Sequence, residues 1–346
     1  MTDPMTIRAM MSVLCAAALP CAVPAVRAAG ADSPATYVAP YISEQSQALI
    51  RAYVPGPKPW SASLDAAAWT AVQQESEQAA ATRLQQYAEG GAAFERKPAD
   101  VPGVRAYWFT TPKTATDGPV LVYTHGGAYV IGSGREVSPA ILAIAEASGM
   151  RVLSIDYRLA PQHPFPAAVD DSVAAYRWLL EQGIASNRIG WFGESAGGGL
   201  MLAAMHALKR NELPLPGAIV ALSAWTDLTV SSESYFTLDA ADPAFSIDEM
   251  RMLSGVYRGQ ASPLDPLVSP VLGDFSGFPP LLIQVGSKEI LLSDSLRVAR
   301  RARSAGVDVE LDIWDGMWHV FQLMGVPESR EAIDEIGAFF RRHLIR

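Results

Sequence analysis

Cysteine is almost missing from this chain: of 346 residues only Cys15 and Cys21 are cysteine, and both fall in the first 28. If that stretch is removed, disulfides, thiol nucleophiles and cysteine-held metal sites are excluded together. Positive charge is also in short supply. Lys and Arg number 27 against 36 Asp and Glu, a formal net charge of −9, which offers no electrostatic footprint for nucleic acid. There is no Gly-X-Y period and no convincing repeat, so collagen and solenoid architectures drop out. Beyond the N-terminus no apolar run approaches the roughly 18 residues of a membrane-spanning helix. The chain as a whole is 49% hydrophobic and 18% charged, enough apolar mass for a large core and too much for a mostly disordered chain.

The first residues read as a targeting segment. A basic start at Arg8 leads into an apolar run, 9–26, broken by Pro20 and Pro24 and ending in small residues around Ala28 and Ala29. That layout resembles a secretory signal peptide covering 1–28, with cleavage expected after Ala28 and Ala31 as the second position. An exported protein, periplasmic or secreted, is the consequence. The alternative is an uncleaved anchor, against which the run is short and proline-broken for a spanning helix of ~20 residues. Leu14 and Pro20 directly precede the two cysteines, where lipid modification usually needs a small residue.

Residues 40–89 carry apolar positions near helical spacing, Trp69, Val72, Ala80, Leu84 and Tyr87, and end at Gly90-Gly91, which predicts a helical hairpin packed on the rest. From Val104 the texture changes. Short β-rich runs at 120–124, 151–155, 189–192, 218–222, 281–285 and 309–313 alternate with helical patterns at 139–148, 167–182, 197–209, 293–305 and 328–343. Such alternation predicts an α/β fold with a mostly parallel sheet and helices on both faces. The stretch 225–270 breaks the rhythm. It is rich in Ser, Asp and Pro, with one helical pattern at 247–257, and reads as an insertion over the strand ends.

Gly193-Glu194-Ser195-Ala196-Gly197 fits G-x-S-x-G. It directly follows the run 189–192 and opens a helical pattern, the strand-to-helix context that lifts a serine hydroxyl clear of a sheet. A serine nucleophile needs a general base, and there are five histidines. His206 sits mid-helix, where packing or surface is the expectation. His343 lies in the last helical turn, and His163 in a Pro-rich loop. His125 belongs to a Gly-rich motif. His319 follows the last strand, on the same sheet edge as Ser195, and alone meets the geometric demand on a base. The acid that orients it should leave a strand between the two. Glu289 comes directly off the run 281–285 and is preferred. Asp294, five residues later, and Asp227, beyond the preceding strand, also satisfy the order Ser…acid…His, which by itself does not separate the three.

The run 120–124 leads into His125-Gly126-Gly127-Ala128-Tyr129. Adjacent glycines leave backbone N–H groups open to a ligand oxygen. The N–H groups of Gly126 and Gly127, joined by that of Ala196, are the expected oxyanion hole for a tetrahedral intermediate. Tyr129, Trp225 and Trp318 flank these loops and are candidate substrate-pocket walls, with a core role as the equal alternative.

With these motifs in hand the chain resembles the bacterial hormone-sensitive-lipase-like (family IV) esterases of the α/β-hydrolase superfamily. The resemblance is carried by residues 125–129, 156–171, 193–197, 223–228, 265–270, 286–294 and 316–321, in the family's order. It implies an α/β-hydrolase fold with an eight-stranded sheet and a helical cap. The cap would be drawn from the N-terminal segment 29–100 and from an insertion at about 225–265 of a catalytic domain spanning 101–346. It implies a carboxylic ester hydrolase with a Ser195–Glu289–His319 triad, a short-acyl preference, and no metal or cofactor. The expected partner is a small-molecule ester; a homodimer is left open. Three departures stand out. Ala128 replaces the third glycine of the family's His-Gly-Gly-Gly run, and alanine resists positive φ. Glu289 stands where Asp is commoner, and Ser223-Ala224 where Ser-Pro is usual. His125 is expected to anchor its loop by hydrogen bonds, and Asp170 and Asp171 to fix a loop and a helix start. The rivals are an amidase or peptidase on the same fold, and a catalytically dead small-molecule binder.

Overall fold

The computed structural model describes residues 38–53, 58, 60–61 and 63–345. The signal-peptide stretch 1–28 and both cysteines lie outside the described residues.

Six of the strands coincide with the six apolar runs: β3 (Ala115–Thr124), β4 (Met150–Asp156), β5 (Ile189–Glu194), β6 (Ala218–Leu222), β7 (Leu281–Gly286) and β8 (Val309–Trp314). Every residue of β5, β6 and β7 is buried. A strand covered on both faces reads as a continuous apolar run. Two further strands, β1 (Glu95–Pro98) and β2 (Arg105–Thr110), precede them. The sequence of β1, Glu-Arg-Lys-Pro, is largely exposed, so it carries no apolar signal to read. One sheet results, in the order β1-β2-β4-β3-β5-β6-β7-β8. β2 pairs antiparallel with both neighbours, and all pairs from β4 to β8 are parallel.

Parallel neighbours require crossovers, and helices supply them. α3 (Pro139–Ser148), α4 (Ala167–Glu181), α5 (Ala196–Arg210), α8 (Leu292–Ser304) and α9 (Pro327–Leu344) lie on the two faces. Along β3 the side chains alternate between two cores. Val120 and Val122 pack with Tyr176, Leu179 and Leu200. Leu121 and Tyr123 pack with Ile141, Ile144, Ile336 and Phe340. The local start and stop signals of α3 are standard: Ser138 caps the first turn, Pro139 opens it, and Gly149 ends it at φ 76°, as expected for a left-handed C-terminal residue.

The N-terminal segment forms two helices, α1 (Glu44–Ala52) and α2 (Ala66–Glu89), each gripping the sheet body. Glu328 at the start of α9 accepts from the backbone N–H of Ser43 at 2.6 Å and the hydroxyl of Ser46 at 2.6 Å. Gln73 of α2 donates to the carbonyls of Val130 and Ala160, each at 3.1 Å. The insertion contains α6 (Ser234–Thr237) and α7 (Ile247–Arg258), the latter held by a reciprocal Ser246–Glu249 capping box. N-terminal segment and insertion also meet each other. Tyr53 donates to the Pro243 carbonyl at 3.2 Å, Trp60 to Glu249 at 3.3 Å, and the rings of Trp60 and Phe245 stack 6.2 Å apart.

Candidate active site

In a parallel sheet all strands deliver their following loops to one edge, and that is where a ligand meets the molecule. Here the order β3-β5-β6-β7-β8 sets the loop after each strand beside the next. The glycine loop follows β3, Ser195 follows β5, Ser223 follows β6, Glu289 follows β7 and His319 follows β8.

Ser195 is the residue at which β5 turns into α5, with φ 54° and ψ −124°. A non-glycine residue there is strained by roughly 1–3 kcal/mol. The turn is possible because its neighbours lack side chains. A Cβ on Gly193 would stand 2.5 Å from the Gly197 carbonyl oxygen, and one on Gly197 would stand 2.0 Å from the Thr124 oxygen. The elbow holds through backbone bonds: the N–H of Ser195 donates to Leu222 and that of Trp225 to the Ser195 carbonyl, both at 2.9 Å.

The Ser195 hydroxyl lies 3.0 Å from Nε2 of His319, and Nδ1 of His319 lies 2.7 Å from Oε2 of Glu289. Of the three acids the sequence left open, Glu289 stands against the base. Its second oxygen, Oε1, accepts from the Ser223 hydroxyl and from the Gly286 N–H, both at 2.7 Å. The other two acids are spent elsewhere. Asp294 accepts from the N–H groups of Thr226 and Asp227 at 2.8 Å, and Asp227 pairs with Arg297 at 2.5 Å. Glu289 itself is wholly buried. Burial works against a charged His319, but the hydrogen bond and the charge of Glu289, with the fields of Asp242 and Glu194, outweigh it and hold the imidazole above its ordinary value.

The glycine loop departs from expectation in one respect. The N–H of Gly126 donates to Oε1 of Glu194 at 2.7 Å, so it is already committed. Glu194 is the second residue of the serine motif, and Tyr123 donates to the same oxygen at 2.9 Å. Burial pushes the Glu194 carboxyl up to about 7, against the pull of the Gly126 and Tyr123 bonds and of His319. Among the described residues no acceptor takes the N–H of Gly127 or of Ala196. Ala128 and Tyr129 sit at φ 53° and 64°, so alanine does occupy the left-handed region at the position of the missing glycine, at a cost of roughly 1–2 kcal/mol.

A cavity of about 200 Å³ opens in front of Ser195 and His319, walled by the N-terminal segment (Tyr53, Lys58, Trp60), by the insertion (Phe245) and by the loop after β8 (Trp318, Met324), among others. Trp318 lines it. Tyr129 and Trp225 do not. Both are buried in the main core, Tyr129 stacked on Tyr257 at 3.6 Å and 6.0 Å from Trp225. Their flanking position in sequence carries no direction; packing against Tyr257 and the main core sets it. His125 holds its own loop, Nδ1 lying 2.7 Å from the Gly126 carbonyl, with its ring stacked on Tyr157. His206 is packed between Phe275 and Phe278 with Nε2 3.0 Å from the Pro270 carbonyl, and burial lowers it to about 4. Asp171 takes Arg158 as an ion pair at 2.7 Å.

Known proteins share the sequence and fold of this chain. The family described as the α/β hydrolase fold matches residues 121–323. The chain belongs to the α/β-hydrolase family. Within it, the chain is similar to an acetyl-hydrolase of Streptomyces hygroscopicus, 43% identical over 227 residues, which are 65% of this chain and 76% of the relative. It is similar to an ethyl acetate hydrolase of Pseudomonas putida, 33% identical over 253 residues, 70% of this chain and 78% of that one. Among solved structures, an esterase from the bacterial hormone-sensitive lipase family superposes with a TM-score of 0.73 at 42% identity, covering 79% of this chain and 92% of the other. The chain thus falls among the hormone-sensitive-lipase-like esterases of that family.

Three contributors to the site lay outside the sequence reading. Glu194 is a variable position of the serine motif and Ser223 lies in a stretch read only for its resemblance; their bonds to Gly126 and Glu289, 68 and 66 residues away, give them a task. Asp242 lies in the insertion with no motif around it.

Proposed function

We propose that the protein is a serine carboxylesterase acting on small, short-acyl esters through an acyl-enzyme intermediate. The observation that carries this reading is the continuous chain Ser195 Oγ–His319–Glu289 beside two uncommitted N–H groups. Ser195 Oγ attacks the ester carbonyl while Nε2 of His319 takes its proton. Glu289 holds the imidazole with Nδ1 protonated and stabilises the imidazolium. The oxyanion is received by the N–H groups of Gly127 and Ala196, the latter at the N-terminus of α5, where negative charge is favoured. His319 then protonates the departing alcohol. Water repeats the cycle, releasing the carboxylic acid and restoring Ser195. No step calls on a metal or cofactor.

The short-acyl preference is supported by the size of the cavity, about 200 Å³, below the roughly 300–1,000 Å³ of sites for drug-sized ligands. The acetyl-ester names of the two relatives point the same way. The N-terminal segment and the insertion act as a cap, setting the depth of the pocket with Trp60, Phe245 and Trp318. An exported enzyme fits the N-terminal sequence.

The test is hydrolysis of nitrophenyl esters from acetate to palmitate, with fluorophosphonate labelling. Wild-type protein is expected to label at Ser195 and to peak at short chains; Ser195→Ala is expected to lose both labelling and turnover. A Ser195→Ala protein that turns over acetate at the wild-type rate removes the nucleophile assignment. A maximum at long chains removes the short-acyl assignment.

A further inference from the structure

Asp242 belongs to the insertion rather than the sheet, and the hydrolytic sequence above gives it no task. It is buried, yet both its carboxyl oxygens are engaged, on two different parts of the molecule. Oδ1 accepts from the N–H of Ala244 at 2.6 Å and from that of Phe245 at 3.4 Å. Oδ2 accepts from the N–H of Ile290 at 2.8 Å, the residue directly after Glu289. The turn that Oδ1 closes presents Phe245, whose ring meets the His319 imidazole edge-on, with centroids 5.4 Å apart. One carboxylate therefore joins the insertion, the loop carrying the acid and a ring packed against the base.

We propose that Asp242 is a positioning residue for ester hydrolysis, seating the 242–245 turn on the Glu289–Ile290 loop so that the triad is aligned only when this part of the insertion is in place. The proposal rests on the serine-esterase reading above. It makes the insertion part of the catalytic alignment as well as a pocket wall. The insertion also reaches this loop through the Ser234 hydroxyl, which donates to the Ile290 carbonyl at 2.5 Å, but only the Asp242 tie carries the turn that packs against His319. Misplacing a catalytic group by about 1 Å can cost on the order of a hundredfold, so this tie is a point where alignment can be lost.

Asp242 also reaches His319 through its field. The imidazole faces three carboxyl groups: Glu289 from the loop after β7, Glu194 from the end of β5, and Asp242 from the insertion. Lys58 of the N-terminal segment donates to the Ala244 carbonyl in the same turn. Burial pushes the Asp242 carboxyl up to about 6, against His319 and the Ile290 and Ala244 N–H groups, which favour its charge. A charged Asp242 favours the imidazolium, so its removal lowers the pH at which His319 becomes neutral. A tie elsewhere in the insertion, which neither seats the Glu289 loop nor carries charge toward His319, has no such effect.

The experiment compares Asp242→Asn with Asp239→Asn in the full chain, using nitrophenyl acetate across pH. Asp239 accepts from the Ile247 N–H at 2.6 Å, holding the same insertion at a bond that does not reach Ile290. Asp242→Asn is expected to lower kcat roughly tenfold with little change in KM. It should also move the acid limb of kcat/KM to lower pH by roughly half a unit or more. Asp239→Asn is expected to change neither. A folded Asp242→Asn protein with wild-type kcat and an unmoved limb overturns the proposal, as does an Asp239→Asn protein showing the same losses. Amide exchange in the wild-type protein gives a readout that needs no variant to fold. The Ile290 N–H is expected to be protected well beyond a loop amide, and free exchange there overturns the tie. Wild-type protein that hydrolyses no ester overturns this proposal together with the esterase reading; an active wild type with an indifferent Asp242→Asn overturns this proposal alone.

Discussion

Replacing Glu289 by Gln tests the site most sharply, because the hydrogen-bond network dictates what the amide must do. Oε1 of Glu289 receives two donors. One is the Gly286 N–H. The other is the Ser223 hydroxyl, whose own oxygen is taken up by the Val320 N–H at 3.1 Å. A glutamine must therefore place its oxygen at that position and turn its NH2 group toward Nδ1 of His319. An NH2 group donates and cannot accept. The imidazole is forced into the tautomer with the proton on Nε2, the nitrogen 3.0 Å from the Ser195 hydroxyl. In that form it cannot take the serine proton. The loss of a correctly oriented carboxylate in such triads is worth roughly 10⁴ in kcat, or about 5.5 kcal/mol of activation free energy at about 1.4 kcal/mol per tenfold. The reverse orientation, with the amide oxygen on His319, leaves an NH2 group facing two buried donors at a cost of about 1–3 kcal/mol, so it offers only partial escape. The measurement is kcat/KM on nitrophenyl acetate with thermal unfolding of the same samples. Glu289→Gln should fall by 10³-fold or more (roughly, by the same triad precedent) while remaining folded. Asp294→Asn, whose partners are the Thr226 and Asp227 N–H groups, should lose stability before it loses chemistry. A Glu289→Gln enzyme within tenfold of wild type would refute the reasoning.

Three further outcomes are expected. Gly127→Ala puts a side chain at φ 106° with its Cβ 2.2 Å from the Ile131 carbonyl oxygen, so both Tm and kcat should drop, the first by at least about 2 kcal/mol in stability. Glu194, held at about 7 against an ordinary value of 4.5, binds its proton more tightly folded than unfolded. Its stabilisation is therefore complete at low pH and is lost as pH rises from about 4.5 to about 7, at up to about 1.4 kcal/mol per unit. Asp294, raised to about 7, and Asp242, raised to about 6, act in the same direction, and Glu194→Gln should flatten the fall in Tm over that window. Trp318→Ala removes a wall of the cavity and should move the acyl-chain optimum to longer esters, with a stability loss of roughly 3 kcal/mol, read from the ester series and Tm.

What the sequence determined by itself is whatever neighbouring residues encode. Buried strands showed as short apolar runs because both faces are covered. The Ser195 elbow showed because glycine at 193 and 197 is demanded by backbone atoms only a few positions or one strand away. His319 emerged because four other histidines sat on helices or in loops of the wrong kind. The tertiary structure decided everything that depends on partners far apart in the chain. Order along the chain left Glu289, Asp294 and Asp227 level; the positions of Ser223, Gly286 and Arg297 separate them, because each buried carboxylate needs its own donors and can stand in only one place. The same accounting committed the N–H of Gly126 to Glu194. It also turned Tyr129 and Trp225 into core, since a ring near a catalytic loop can point either way and only packing chooses. Asp242 carried no pattern at all in sequence. Its significance comes from one buried carboxylate bridging an insertion and the acid loop 48 residues away, a relation that exists only once the chain is folded.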